Sequence, residues 1–354
     1  MGVRVTHGAL DHAELAARGL RPEALLDWSS NLNPFGPPPG VRTALAALDP
    51  APYPDRSCLK LRAVLAARHG CDSAQILVGN GSNELIHLIP RALLHPGDLA
   101  CVVAPTFGEY GYASQLAGLR VVEWRTHAEN HFAVDCAATM REIRQQRPHL
   151  TWLCAPNNPT GVDVATEAIL VLAEACGTHK GLLVLDRTYH AFVRGRETWT
   201  DQLHTLPSNV LLLHSLTKSY ALAGLRVGYL IGATNLLARI ADHQPTWSVN
   251  SAAQAAGLAA LNDTVFLADT LPLLWAASDT LCDGLLKLGF PVWRGALPFV
   301  LVRTGDGRAT RAALLEHGCV VRDCASFGLP EWVRVAPRRR AENALLLEAW
   351  KELL

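Results

Sequence analysis

The chain lacks any imbalance of charge. Its 354 residues include 32 Lys and Arg and 32 Asp and Glu, so the formal net charge at pH 7 is zero. It also lacks a run of five like charges, and with it the basic tracts and acidic tails that indicate nucleic-acid or interaction segments. We therefore expect a small-molecule partner, and neither nucleic acid nor membrane.

Export signals and metal motifs are missing as well. Residues 1–30 carry Asp11, Glu14 and Glu23 without an apolar core of signal-peptide length, and no window approaches a membrane-spanning run. The nine cysteines are scattered and include no C-x-x-C pair, which argues against zinc or redox chemistry. We expect a cytoplasmic protein without a bound metal.

Short apolar runs alternate with longer helical patterns over the first 250 residues. This alternation is typical of strand–helix–strand units that build a mainly parallel sheet. We expect an α/β fold with an N-terminal segment over 1–45 that crosses to the small domain, a three-layer α/β/α large domain over 46–250, and a smaller α+β C-terminal domain over 251–354. The predicted strands are 75–79, 99–104, 119–124, 150–155, 181–186, 209–215, 226–232, 299–304 and 332–337. Because 209–215 and 226–232 have only a short link, one of them is expected to run antiparallel.

Polar residues collect where these strands end. The segments "VGNGSNE", "APTFGEY", "APNNPTG", "LDRTYH" and "HSLTKS" each follow a predicted strand. In open parallel sheets, ligands bind at the carboxyl ends of the strands. Each segment alone could be a structural turn, but together they predict a shared site.

One lysine stands among small hydroxyl residues in "HSLTKSYALAGLRVGY" (214–229). Burial would lower the proton affinity of Lys218 and make its amine a nucleophile toward an aldehyde. A buried Asp186 would be costly unless it faced a cation such as a pyridinium nitrogen. These two roles point to pyridoxal 5'-phosphate (PLP).

The remaining polar residues suit the other parts of PLP. The glycines of "GNGSNE" precede a helix whose free N–H groups can bind a phosphate. Phe107 could supply a face for the ring, and Asn158 and Tyr189 could hydrogen-bond its phenolic oxygen. Further donors to the phosphate are Ser215, Thr217 and Arg226.

These motifs resemble those of fold-type-I PLP-dependent enzymes of the class I/II aminotransferase superfamily. "NNPTG" (157–161), Asp186 followed by Tyr189, and an S-x-x-K motif with Arg226 eight residues after its lysine occur in the superfamily's order and spacing. The resemblance extends over nearly the full length and implies a PLP-dependent transferase fold.

The resemblance also implies residue roles. Lys218 is expected to bond the cofactor and move a proton, Asp186 to face the pyridine nitrogen, and Asn158 and Tyr189 to bind the ring oxygen. Tyr53 resembles a tyrosine that reaches the cofactor phosphate of the neighbouring subunit, so we expect a homodimer with its active site at the subunit interface. The implied phosphate pocket consists of Gly81, Ser82, Asn83, Ser215, Thr217 and Arg226, with Phe107 at the stacking position.

Four further segments bear on the substrate: "THGALDH" (6–12), "SSNLNPFGPP" (29–38), "PTWSVNSAAQAA" (245–256) and "VRDCASFGLPEWVRVAPR" (321–338). They resemble the L-threonine-O-3-phosphate decarboxylases of cobalamin biosynthesis, whose relatives are the histidinol-phosphate aminotransferases. Decarboxylation of a phosphorylated amino acid is thus the main expectation, with aminotransfer as the alternative and a non-catalytic PLP sensor as a minor one. Arg334 matches the carboxylate-binding arginine of the superfamily. Candidates for the substrate's phosphate and surroundings are Arg322, His7, Asn31 and Asn250.

Two residues depart from the superfamily's pattern. Arg187 follows Asp186 where relatives usually have Glu, and it would either recruit an extra anionic group or form a surface ion pair. Ala9 stands where relatives commonly have a second glycine, and its methyl group would crowd any phosphate that the backbone approached.

Overall fold

The computed structural model describes residues 8–194 and 207–353 of the chain. The helices are α1 His12–Ala17, α2 Pro39–Ala46, α3 Leu59–His69, α4 Gly81–Leu93, α5 Glu109–Leu116, α6 Cys136–Gln146, α7 Thr166–Gly177, α8 Thr234–Ala241, α9 Ser251–Asn262, α10 Phe266–Lys287, α11 Gly307–Glu316 and α12 Arg340–Lys351. The strands are β1 Leu26–Asp27, β2 Ile76–Gly79, β3 Leu99–Ala104, β4 Arg120–Arg125, β5 Leu150–Cys154, β6 Leu182–Asp186, β7 Val210–Ser215, β8 Gly228–Gly232, β9 Val292–Trp293, β10 Val300–Arg303, β11 Cys319–Val320, β12 Arg322–Asp323 and β13 Trp332–Val335.

A seven-stranded sheet forms the centre of the large part of the molecule. Its strand order is β2-β8-β7-β6-β5-β3-β4, and only β8 runs antiparallel to its neighbours. Every residue of β3, β5 and β7 is buried, because helices cover both faces of the sheet. The carboxyl ends of β2, β3, β5, β6 and β7 therefore share one edge, as predicted, and β8 begins at that edge.

Strand β8 begins two residues later than expected. Arg226 has φ +59°, in the left-handed region, so it cannot continue an extended strand. The chain turns at Arg226 and enters the sheet at Gly228. This turn aims Arg226 at the sheet edge instead of along the ladder.

A smaller four-stranded antiparallel sheet, β12-β13-β10-β9, lies toward the C-terminus. Its core contains Trp28 and Trp350 together with residues of α10, α11 and α12. The N-terminal segment joins this part of the molecule through β1, which pairs in parallel with β11. β1 and β11 form a separate two-stranded sheet, and Trp28, which directly follows β1, packs in the core of the small sheet.

Helix α9 packs differently from the expectation for a small-domain helix. Ala253, Ala256 and Ala260 belong to the same apolar core as the strands of the large sheet, and so does Leu274 in α10. Farther along α10, Leu281 and Leu285 pack in the core of the small sheet. Domain limits at residues 45 and 250 stay predictions, and this packing places the change of core within α10.

No single helix among the described residues is both long and apolar enough to cross a bilayer. Taken together, α9 and α10 meet the length and composition requirement, but the two are bent by 84° at their junction.

Asn343 in α12 ties the N-terminal segment to the small sheet. Its Oδ1 accepts from Trp28 Nε1 at 2.9 Å and from the backbone N–H of Arg338 at 2.9 Å, and its Nδ2 donates to the carbonyl oxygen of Arg338 at 3.0 Å. Asn343 and Trp28 are both almost completely buried. Removing the amide would leave several buried polar groups without partners.

We expect Asn343→Ala to lower the free energy of unfolding by about 1–3 kcal/mol, because a buried indole N–H is left unpaired. Urea unfolding followed by fluorescence would measure the change. Glu348→Ala, at an exposed position of the same helix, is the matched control and should unfold as the parent does. Equal midpoints for Asn343→Ala and the parent would contradict the role of this amide.

Candidate active site

A cavity of about 360 Å³ lies at the shared edge of the large sheet, between that sheet, the small sheet and the N-terminal segment. It collects residues that are more than 300 positions apart in sequence. The predicted site residues that line it are Asn31, Ser82, Phe107, Asn158, Asp186, Tyr189, Thr217, Lys218, Arg226, Arg322 and Arg334.

The other predicted residues lie outside the lining. Gly81, Asn83 and Ser215 are sequence neighbours of lining residues, and Ser215 Oγ accepts from the backbone N–H of Thr217 at 3.1 Å. Tyr53 is 78% exposed and stacks on Trp247 with ring centroids 4.4 Å apart. His7 lies outside the described residues.

Asn250 corrects one expectation about the substrate pocket. It is the N-cap of α9, where its Oδ1 accepts from the backbone N–H of Ala253 at 2.7 Å. Its Nδ2 donates to the carbonyl oxygen of Leu225 at 3.4 Å. An asparagine directly before a helix is a standard capping residue, so its polar atoms already have partners outside the cavity.

The N-terminus of α4 and Arg226 form one end of the cavity. Gly81 has φ +76°, and a Cβ there would lie 2.6 Å from Nη2 of Arg226. A Cβ at Gly228 would lie 2.6 Å from the backbone N of Ser82. Both glycines therefore allow a helix terminus, with its free N–H groups, to approach a guanidinium, which is an arrangement suited to a phosphate.

Asp186 lies at the end of β6 and is buried. Its Oδ2 accepts from Tyr110 Oη at 2.7 Å, and its Oδ1 accepts from the backbone N–H of Thr188 at 2.7 Å. Burial raises the pKa of this carboxyl, although the hydrogen bonds from Tyr110 and Thr188 oppose the change. A cation beside Asp186 would remove that cost.

Lys218 presents its amine to the cavity. Burial lowers its pKa from the ordinary value of 10.5 to about 8, and the charges of Arg334 and Arg226 contribute. Among the residues that the structure describes, none forms a hydrogen bond or an ion pair with its Nζ. The amine is thus available to a ligand and loses its proton close to neutral pH.

Arg334 connects the cofactor end of the cavity with the N-terminal segment. Its Nη1 donates to Asn158 Oδ1, and its Nη2 donates to the carbonyl oxygen of Ser29 at 2.5 Å. Asn31 Nδ2 lies 3.2 Å from the hydroxyl oxygen of Tyr189, while the buried Oδ1 of Asn31 has no partner within residues 8–194 and 207–353. Burial raises the pKa of Tyr189 to about 12. These contacts position Asn158 and Tyr189 next to each other, with capacity for further hydrogen bonds to a ligand.

Several lining residues escaped the sequence analysis. Tyr110 was inside the quoted segment "APTFGEY", and its position three residues after Phe107 at the start of a helix was the available signal. All of the others except Cys154 also lie inside quoted segments, where none but Ala9 was discussed by itself. The lining residues that were not predicted are Gly8, Ala9, Ser29, Ser30, Leu32, Gly108, Tyr110, Cys154, Thr188, Ala223, Ser326 and Phe327.

Ala9 lines the cavity with φ +85°, a conformation that favours glycine. Its backbone N–H donates to Ser29 Oγ at 2.8 Å. A Cβ at the preceding Gly8 would lie 2.7 Å from the carbonyl oxygen of Ser29, so that glycine has no room for a side chain. The segment accepts a methyl group at Ala9 but not at Gly8.

Arg187 is neither in the cavity lining nor in a surface ion pair. It is buried, and its Nη1 donates to the carbonyl oxygen of Ala155 at 3.0 Å and lies 3.6 Å from Oδ1 of Asp163. Both partners belong to the segment that contains Asn158. Arg187 therefore fastens that segment to the strand that carries Asp186.

We expect Arg187→Glu, which inserts the residue usual in relatives, to destabilise this protein by about 3–5 kcal/mol, because two carboxylates would then face each other inside the protein. Urea unfolding would measure the loss. Arg141→Glu, at an exposed position of α6, is the control for the change in net charge.

The double variant Arg187→Glu/Asp163→Arg should recover part of this loss, since it restores opposite charges. A single variant as stable as the parent would contradict the buried ion pair.

The lining fits PLP in its chemistry. Gly81 leaves room for a phosphate beside Arg226, the buried Asp186 can face a pyridinium nitrogen, and Lys218 offers a free amine. Because Oδ1 of Asn31 has no partner in the described part of the chain, it leaves acceptor capacity next to Tyr189.

Known proteins resemble this chain over almost all of its length. The family model "Aminotransferase class I and II" matches residues 23–349. Histidinol-phosphate aminotransferase 2 of Ralstonia nicotianae is 35% identical over 345 residues, which cover 95% of this chain and 90% of the relative. Histidinol-phosphate aminotransferase 1 of Thiobacillus denitrificans is 35% identical over 350 residues, covering 97% of this chain and 89% of the relative.

Solved structures share the fold. Aspartate aminotransferase of Thermus thermophilus, crystallised with maleate, superimposes with a TM-score of 0.85 at 25% identity and covers 97% of this chain and 94% of its own. Histidinol-phosphate aminotransferase of Sinorhizobium meliloti, in complex with pyridoxal-5'-phosphate, gives a TM-score of 0.86 at 24% identity and covers 96% and 93%. The predicted superfamily and α/β fold class are confirmed, and the chain belongs to the aminotransferase class I and II family of PLP-dependent enzymes.

Proposed function

We propose that this enzyme transfers an amino group between a small phosphorylated amine, such as L-histidinol phosphate, and a 2-oxo acid. The observation that carries the proposal is a second cluster of buried positive charge in the cavity. Arg322 and Arg334 line it in addition to Arg226, and each of the two is only 4% exposed. A cofactor phosphate at Arg226 would leave both buried guanidiniums for anionic groups of the substrates.

The residues at the end of the cavity formed by α4 would hold the cofactor. The N-terminus of α4, Ser82, Thr217 and Arg226 would bind its phosphate, since all of them meet at one edge of the sheet. Asp186 would keep a proton on the ring nitrogen, held in place by Tyr110 and Thr188. When bound, PLP supplies an electron-withdrawing ring that stabilises negative charge at the substrate's Cα.

Four further side chains would act on the ring and on the reacting atoms. Asn158 and Tyr189 would hydrogen-bond the ring oxygen, and Phe107 would pack on the ring face. Lys218 would take the Cα proton and return it, because an amine with a pKa of about 8 can both accept and donate near neutral pH.

Aminotransfer is favoured over decarboxylation by the relatives. The two relatives described above are named histidinol-phosphate aminotransferases, which supports the alternative expectation better than the main one. A phosphorylated amine without a carboxylate could place its phosphate against both Arg322 and Arg334. The sensor alternative drew its support from Arg187, which stands where relatives usually have Glu. That support is lost because Arg187 lies in a buried ion pair outside the cavity.

We also infer a homodimer, as predicted. Tyr53 and Trp247 form a stacked pair that is largely exposed in the single chain, at 78% and 46%. A neighbouring subunit would cover this pair, and Tyr53 would then reach the phosphate of the cofactor bound in that neighbouring subunit. The cytoplasmic location also stays a prediction.

The low pKa of Lys218 predicts how the PLP-free protein takes up PLP. The amine loses its proton as pH rises through about 8, so the rate of uptake should rise with a midpoint near 8 and not near 10.5. Arg334→Gln should move this midpoint upward, because it removes a positive neighbour of the amine. Stopped-flow absorbance would measure the rates, with N-acetyl-lysine as the reference for the titration of PLP itself.

Two lysine variants control this measurement. Lys218→Ala should abolish bonding of PLP, whereas Lys287→Ala, exposed near the end of α10, should behave as the parent does. A midpoint near that of N-acetyl-lysine would contradict desolvation of the amine.

The proposed reaction can be tested directly on the PLP-loaded enzyme. We expect formation of glutamate from 2-oxoglutarate to be at least about tenfold faster with L-histidinol phosphate than with L-histidinol, because a phosphate bound by buried arginines is worth 1.4 kcal/mol or more. O-phospho-L-threonine should release no CO2 above the background of the Lys218→Ala variant. Release of CO2 without amine transfer would overturn the proposal in favour of decarboxylation.

A further inference from the structure

A tight turn over residues 324–329 carries the substrate end of the cavity. Backbone N–H groups of Phe327 and Leu329 both donate to the carbonyl oxygen of Cys324, at 3.0 and 3.1 Å. Within this turn Ser326 and Phe327 line the cavity. The turn is thus a separate structural unit at the mouth of the substrate pocket.

The turn also positions Arg322. Its Nη2 donates to Ser326 Oγ at 2.6 Å, and its guanidinium lies over the ring of Phe327, 5.2 Å from the centroid. The positions of Ser326 and Phe327 in the turn therefore determine the direction of the Arg322 side chain. A shift of the turn would move Ser326 and Phe327 and with them this guanidinium, whose Nη1 also lies 3.5 Å from Oδ2 of Asp323.

Arg125, at the end of β4 in the large sheet, holds the turn from the opposite side. Its Nη2 donates to the carbonyl oxygen of Phe327 at 2.6 Å, and its Nη1 pairs with Glu123. Gly328 has φ +76°, and a Cβ there would overlap Nη2 of Arg125. The turn therefore has the one residue type that lets the guanidinium approach.

An apolar contact lies beside this hydrogen bond. Phe132, which follows β4, is buried against Trp293 and Trp332 of the small sheet, with ring centroids 5.8 and 6.3 Å away. Phe327 and Cys324 belong to the same apolar cluster. The cluster holds the two sheets together, while Arg125 fixes the backbone of the turn.

We propose that Arg125 is a positioning residue for the anionic end of the substrate: by binding the carbonyl oxygen of Phe327 it fixes the turn over 324–329 and, through Ser326 and Phe327, the guanidinium of Arg322. Arg125 does not line the cavity and acts only through the turn. The identity of the anion as a phosphate rests on the proposed function, but the constraint on the turn does not.

Hydrogen–deuterium exchange tests the constraint without any substrate. In Arg125→Met, which keeps an unbranched apolar stem and removes the guanidinium donors, amides of residues 324–329 should exchange about tenfold faster than in the parent holoenzyme. Arg120→Met is the matched control, since Arg120 begins the same strand and donates to the carbonyl oxygen of Gly97. Unchanged exchange over 324–329 in Arg125→Met would overturn the proposal.

Steady-state kinetics tests the consequence for the substrate. Arg125→Met should raise KM for L-histidinol phosphate about tenfold, while KM for L-histidinol and kcat change by less than about twofold. Gly328→Ala should act in the same direction, because the added methyl group displaces Arg125. An equal rise in KM for both substrates would indicate a merely structural role and overturn the proposal.

The two measurements separate the two proposals. If the parent enzyme transferred no amine from either substrate, the proposed function would fail. Faster exchange over 324–329 in Arg125→Met alone would still support the constraint on the turn.

Discussion

The site depends on holding four cationic side chains around one small cavity: Lys218, Arg226, Arg322 and Arg334. Burial lowers the pKa of Lys218, Arg322 and Arg334, and the charge of Arg334 further lowers that of the other two. Asp27 offsets part of this cost for Lys218 and Arg334, but its oxygens are occupied by Ser29 and Ser30 at 2.6 Å. The cavity consequently retains affinity for anions, and it keeps the amine of Lys218 close to its neutral form.

The site also requires that a guanidinium and a helix terminus approach each other closely, and backbone geometry makes this possible. Arg226 reaches the N-terminus of α4 only because Gly81 and Gly228 lack side chains and because Arg226 itself adopts a left-handed conformation. An antiparallel β8 is what brings this turn to the carboxyl edge, where a parallel strand would have ended instead of begun. The cofactor end is therefore built from main-chain geometry, with side chains added to it.

The sequence was most informative at this cofactor end. Lys218, Asp186 and Asn158 lie at the ends of apolar strands or within four residues after them, and the structure places all three in one cavity because strand ends in a parallel sheet meet at one edge. The sequence was less informative where the same residue type can serve either a structural role or a role in the site. Tyr110 reads as an apolar core residue until the fold places it on Asp186. Asn250 was predicted to bind substrate, yet it directly precedes a helix and caps it. Ser29 and Ser326 lie in two segments that were expected to bear on the substrate, but only tertiary packing shows that these two side chains line the same cavity.

The two ends of the cavity differ in what holds them. Strand ends and a helix terminus fix the cofactor end, and each is tied into the seven-stranded sheet by ladder hydrogen bonds. The substrate end is formed by the N-terminal segment and by the turn over 324–329, which the large sheet contacts through a few side chains. A small rotation of one sheet relative to the other would leave the positions of Asp186 and Lys218 relative to each other unchanged, but it would move Arg322. The cofactor end can therefore keep the same chemistry, while separate and weaker contacts at the substrate end determine which substrates the cavity prefers.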